Sequence, residues 1–131
     1  MRNVMTLFIF GVLCLTFSST CFATRDKEMC DTIRKFVRVQ SKKVPLKIDK
    51  ITKLIKISSN CKRKTMYTTK AFTVSESRLP ANMRAIMQKH HTETNCKKTG
   101  LAGGFGWTAI SYFFDKDSVQ LFTLKTSPKD C

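Results

Sequence analysis

Cys96 to Cys131 reads CKKTGLAGGFGWTAISYFFDKDSVQLFTLKTSPKDC, and its punctuation decides how the rest of the chain must fold. Two runs, Trp107 to Phe114 and Val119 to Thr126, are rich in aromatic and β-branched residues, which suit a pleated, half-buried surface. Between them, Asp115-Lys116-Asp117-Ser118 has the length and side-chain chemistry of a turn. The block therefore predicts a β-hairpin. It also holds the single tryptophan, Trp107, together with Phe113, Phe114 and Phe122. Trp107, Phe113 and Phe122 are the candidate core.

Upstream, Leu79-Pro80 opens a stretch in which Leu79, Met83, Ile86, Met87 and His90 recur at helical spacing. A proline suits the first turn of such a helix, and Gly100 follows its end, with Cys96 in the last turn. Before it, Met66 to Val74 (MYTTKAFTV) reads as a strand, and Asn60-Cys61-Lys62-Arg63 as a turn. Leu46 to Ser59 (LKIDKITKLIKISS) is ambiguous. Its lysines at every third position suggest a basic amphipathic helix, but its apolar residues spread over half the helical circumference. The β-branched residues favour a strand from about Ile51, with Ile51, Ile55 and Ile57 on one face. The first element, Asp26 to Gln40, is a helix with Met29, Ile33, Phe36 and Val37 in its stripe, and Pro45 marks its exit.

The order is α-β-β-α-β-β. Two helix-plus-hairpin units predict an α+β, two-layer domain: an antiparallel sheet of about four strands with both helices on one face.

The start of the chain is of another kind. Met1-Arg2, an apolar run from Val4 to Phe17 and a small-residue exit ending at Ala23 predict a signal peptide over residues 1–23. The apolar run is shorter than the roughly 20 residues needed to cross a bilayer, so no membrane-spanning segment is expected after cleavage. Cys21 lacks the residue pattern that precedes a lipid-modified cysteine. Residues 24–131 then form a single disulfide-containing domain.

Export makes disulfides the natural state of Cys30, Cys61, Cys96 and Cys131. Four cysteines allow three pairings. Cys96 ends the helix that packs beside the final strand and Cys131 follows that strand, so Cys96–Cys131 is expected, and with it Cys30–Cys61. Gaps of 31, 35 and 35 residues with no closely spaced pair do not suit tetrahedral zinc. No metal or cofactor is expected.

Charge points outward. The whole chain carries 24 Lys+Arg against 9 Asp+Glu, and only Arg2 leaves with the signal peptide. Ten cations fall between Lys42 and Lys70 against one acid, Asp49. Lys47, Lys50, Lys53, Lys56, Lys62, Arg63 and Lys64 are the candidate basic surface, with Lys47 and Lys53 on one strand face and Lys50 and Lys56 on the other. Such a surface attracts anionic partners.

No catalytic residue emerges. Adjacent His90 and His91 point about 100° apart on a helix, so they read as a surface pair, or as His90 half-packed. A ribonuclease needs a separated acid–base pair. The glycine loop after Cys96 lacks the phosphate-loop pattern and precedes a strand. Asp115 and Asp117 lack the remaining ligands of a calcium loop.

The sequence from LPANM through the Cys–GWT–D–PxxC series resembles the C-terminal block of small, mostly uncharacterised exported (periplasmic or secreted) bacterial proteins. The resemblance covers roughly Lys53 to Cys131. It implies an envelope or secreted location and an α+β fold, and it carries over no catalytic residue. Together these readings predict a non-enzymatic, exported binding or accessory protein. Its expected location is the periplasm or the outer membrane's inner face, with secretion as the alternative, and its expected role is to support an envelope assembly such as a secretion apparatus. The expected partner is an envelope protein or anionic envelope component, with peripheral membrane association allowed and nucleic acid disfavoured. The alternatives are a secreted cationic effector that acts on host or competitor surfaces and an inhibitor of an acidic-cleft enzyme.

Overall fold

The computed structural model describes residues 24–131; the expected signal peptide, residues 1–23, lies outside the described residues. The chain divides into two units, Met1–Thr32 and Ile33–Cys131. The described part of the first unit, residues 24–32, is helical. In the second unit residues 33–41 are helical, and these are α1. Ile33 is buried in the second unit, Val37 and Gln40 are half-buried, and Ser41 Oγ donates to the Ile57 carbonyl at 3.5 Å. Phe36, expected in the stripe, is 49% exposed instead.

Five strands follow: β1 (Leu46–Lys47), β2 (Thr52–Asn60), β3 (Thr65–Phe72), β4 (Thr108–Phe114) and β5 (Gln120–Thr126), with α2 (Met83–Asn95) between β3 and β4. They form one sheet in the order β1-β2-β3-β4-β5. The expected sheet of four antiparallel strands is corrected in two ways. Leu46–Lys47 adds a short fifth strand against β2, and β3 pairs with β4 in parallel. The reason for the second is the helix itself. A parallel neighbour needs a crossover of a dozen or more residues, and the segment holding α2 is that crossover.

β2 settles the ambiguous stretch as a strand. Its alternation is broken by an irregularity between Leu54 and Lys56, where Ile55 is the extra residue and is 42% exposed. Leu54 and Ile57 are buried instead, which replaces the expected Ile51–Ile55–Ile57 face. A bulge of this kind shifts the parity of everything after it.

The core is Phe72, Phe113 and Leu124, with Phe122, Leu121, Leu79 and Met87 packed against it. Phe113 and Phe122 stack at 5.0 Å between ring centroids, and Phe72 and Phe113 at 5.5 Å. Trp107 is 2% exposed at the entrance to β4. Asp115 closes the last hairpin: its Oδ1 accepts from the amides of Asp117 at 2.8 Å and Val119 at 3.0 Å.

Past α2, the glycine loop serves its own helix. The amides of Ala102 and Gly103 both donate to the Asn95 carbonyl, at 3.0 and 2.9 Å, satisfying a helix end that lacks internal partners. Gly103 is required there, because a Cβ would collide with the Cys96 carbonyl oxygen. Cys96 is bonded to Cys131 across 35 residues of sequence; Cys30 and Cys61 are disulfide-bonded as well.

Candidate functional site

The basic segment lies mainly on β2, its flanking turns and the short β1. Lys47, Lys50, Lys53, Lys56, Lys62, Arg63 and Lys64 are all exposed. Strand alternation does not distribute them as the sequence suggested. Lys47 sits directly opposite Lys53, while Lys53 pairs with Ala71 and Lys56 with Thr69. Cross-strand partners share a face, so the bulge at Ile55 brings Lys56 to the same side as Lys47 and Lys53. Lys50 lies in the connection between β1 and β2, on neither face. Lys62, Arg63 and Lys64 form the turn between β2 and β3, with Lys64 at φ 45°.

The face carrying these lysines is the one α2 does not cover. Following the register across the sheet, one row runs Lys56–Thr69–Tyr112–Thr123 and the next Ser58–Tyr67–Ile110–Lys125. All eight residues are exposed or half-buried. The opposite face carries Leu54, Ile57, Phe72, Ser111, Phe113, Leu124 and Thr126, all buried. Whatever covers the β2 end of the sheet therefore lies on the side of α2. Tyr67 and Tyr112 face each other diagonally across β3 and β4, their rings 6.5 Å apart and within 5° of parallel. Among the described residues, Lys47, Lys53 and Lys56 have no ion-pair partner.

Beneath α2 the chemistry is of the opposite kind. His91 Nδ1 lies 2.7 Å from Thr126 Oγ1 and Nε2 lies 3.1 Å from Ser111 Oγ. Ser111 Oγ in turn lies 2.8 Å from Thr68 Oγ1. His91, not His90, is the buried histidine, at 9% exposure, while His90 and Ile86 are exposed. The sequence expectation is reversed because apolar periodicity alone set the face. Polar contacts help to set the face: His91 reaches Thr126 on β5 and Ser111 on β4, and Gln88 Nε2 donates to the Lys125 carbonyl at 3.0 Å.

A histidine touching a serine on one side and a threonine on the other invites a catalytic reading, which the geometry does not support. Burial, then the charges of Lys70 and His90, push the His91 pKa down to about 4, so at neutral pH it is a weak base. Ser111 is buried and already engaged with Thr68, and no carboxylate orients the imidazole as an activated triad requires. The arrangement is a closed hydrogen-bond chain that joins α2, β3, β4 and β5. Beside it is a cavity of about 180 Å³ lined by Lys70, Met87, His91 and Phe113 among others. Lys70 Nζ stands 5.4 Å from the Phe113 ring centroid, and burial lowers its pKa, with Asp49 opposing.

A second concavity, of about 340 Å³, opens between the start of α2 and β5. Leu79, Met83, Leu121 and Phe122 supply its apolar surface and Glu76 and Arg84 its charges. Among the described residues no group of three acidic, histidine or cysteine side chains could hold a metal ion, and no helix is long and apolar enough to cross a membrane.

No protein-family model matches the sequence, and no curated protein matches it. Solved structures do. One is a Pseudomonas aeruginosa protein assigned as secreted, with 15% identity, a TM-score of 0.62, and coverage of 82% of this chain and 96% of that one. A second is EpsS, the pilotin of the Vibrio vulnificus type 2 secretion system, with 9% identity, a TM-score of 0.62, and coverage of 83% and 96%. A third is AspS, the type II secretion system pilotin of Vibrio cholerae, with 9% identity, a TM-score of 0.60, and coverage of 84% and 98%. The likeness is one of fold. It spans nearly the whole of each of the three solved chains, so the α+β architecture is shared with them from end to end.

Two elements of the site escape sequence reasoning. The Tyr67–Tyr112 pair needs the parallel β3–β4 register, which nothing local encodes. The His91 chain joins residues 20 and 35 positions apart and carries no motif spacing.

Proposed function

We propose that the protein is an exported, non-enzymatic accessory protein of the bacterial envelope that supports a secretion-type assembly by binding one of its components. The observation that carries this reading is the fold shared with two type II secretion pilotins and with a protein assigned as secreted, over nearly their full length. The surface offers binding and little else: the polar groups beneath α2 are consumed by one another, while the lysines of β1, β2 and the β2–β3 turn point to solvent. The location that fits is the periplasm or the inner face of the outer membrane, with a secreted cationic effector as the alternative. Cys30–Cys61 is the pairing that completes this reading for an oxidising compartment.

The test is fractionation of tagged cells together with deletion of the gene. Retention in the envelope fraction and loss of exported substrates on deletion are expected. Full release into the medium, with export unaffected by deletion, overturns the accessory role and favours the effector. The triple substitution Lys62→Ser, Arg63→Ser, Lys64→Ser should lower envelope association at low salt, because exposed ionic contacts weaken as salt screens them.

A further inference from the structure

The open face of the sheet has a regularity that an accessory role alone does not require. None of the nine acidic residues of the chain falls within a strand, whereas Lys47, Lys53, Lys56, Lys70 and Lys125 do. Four of these five share the open face by register. Lys47 and Lys53 stand directly opposite each other, a like-charge pairing that destabilises a sheet unless an anion offsets it. In the two central rows the lysines sit at opposite ends, Lys56 on β2 and Lys125 on β5, with Tyr112 and Tyr67 between them on β4 and β3. Three strand spacings across and two residues along place those two positions about 16 Å apart. The tyrosine rings are parallel, and among the described residues neither phenol hydroxyl has a hydrogen-bond partner.

We propose that this face binds an acidic polysaccharide. The parallel rings offer flat apolar surfaces to the C–H faces of sugar rings. Lys56 and Lys125, with Lys53 and Lys47 beside the first, pair with carboxylate, phosphate or sulfate groups at both ends of the bound segment. The phenol hydroxyls, Ser58 and Thr69 meet sugar hydroxyls. A single-stranded nucleic acid also stacks on aromatic side chains, but along a groove whose charge tracks the backbone. Here the cations lie at opposite corners of the open face and include no arginine, which suits charges spaced along a glycan. The inference deepens the accessory reading by naming the class of anionic component, and it rests on that reading only for the compartment.

The experiment uses the purified mature chain and four probes: polygalacturonate, neutral dextran, single-stranded poly(dT), and vesicles of phosphatidylglycerol. Binding to polygalacturonate, falling with added salt, and no binding to dextran are expected. Lys56→Gln with Lys125→Gln should weaken the polygalacturonate complex by about tenfold or more, as should Tyr67→Ser with Tyr112→Ser. Lys89→Gln, on the exposed side of α2, should leave it unchanged. If the tyrosine pair variant does not fold, the lysine pair variant decides alone. Parent-like binding by the lysine variant overturns the proposal, and so does tighter binding of poly(dT) or of vesicles than of polygalacturonate. The two readings fail separately. Loss of polysaccharide binding with normal envelope retention sinks only this inference, and retention lost while binding persists sinks only the accessory role.

Discussion

Both faces of the sheet carry polar residues, and what separates those residues is what they are bonded to. On the covered face, Thr68, Ser111, His91 and Thr126 form a closed chain, and no buried side-chain polar atom among the described residues lacks a partner. On the open face, lysines and phenol hydroxyls have their bonding capacity still free. A polar group that is satisfied internally stabilises the fold and is silent to the outside, while one left in water is available for recognition. Polarity alone therefore does not mark a site; unspent bonding capacity does.

The largest test of that contrast is at the covered side. Trp107→Ala should destabilise the protein by about 3–5 kcal/mol, as for other buried aromatics, seen as a lower denaturation midpoint. An unchanged midpoint with lost partner binding would instead make Trp107 a recognition residue. Next comes the Cys96–Cys131 bond, which joins the end of α2 to the tail behind β5. Replacing both cysteines with serine should cost about 3–4 kcal/mol in the chain-entropy account, and reductant should then have less effect on the variant than on the parent.

The third test is pH. Because the pKa of His91 falls from the ordinary 6.5 to about 4 on folding, the unfolded chain binds more protons between those values. The stabilisation is complete above about pH 6.5 and is lost as pH drops toward 4, a loss of roughly 2 kcal/mol after allowance for solvent screening. His91→Gln should be less stable at neutral pH but flatter across this window in denaturant titrations. A parent whose stability does not fall there removes His91 from the covered face's ledger of buried groups. The smallest effect belongs to the open side and its turn. The Lys62, Arg63 and Lys64 serine variant should stay within about 0.5 kcal/mol of the parent, so a larger drop shows that the turn is part of the fold.

How far the sequence reached follows the same division. The aromatic hairpin, its Asp115 turn and the burial of Trp107 were legible because strand periodicity and turn chemistry are local. The sense of the β3–β4 pairing was not, since a crossover leaves no mark in the residues it brings together. Two lysines were misplaced: Ile55 bulges and inverts the parity of Lys56, and Lys50 falls in the connection before β2. His91 was hidden for another reason. A pattern of apolar positions cannot reveal a helix face held by an imidazole and a glutamine.

That glutamine has a wider consequence. Gln88 engages both backbone groups of Lys125, its Nε2 on the carbonyl at 3.0 Å and its Oε1 accepting from the amide at 3.4 Å. It stands where a neighbouring strand would otherwise add. At the opposite margin, β1 is two residues long, the bulge and two lysines follow, and the Ser41 hydroxyl occupies the Ile57 carbonyl. Short, charged, bulged or covered margins are how sheets avoid templating one another. These features oppose strand addition at both ends of the sheet, so copies at high concentration should resist edge-to-edge pairing even though one broad side remains bare.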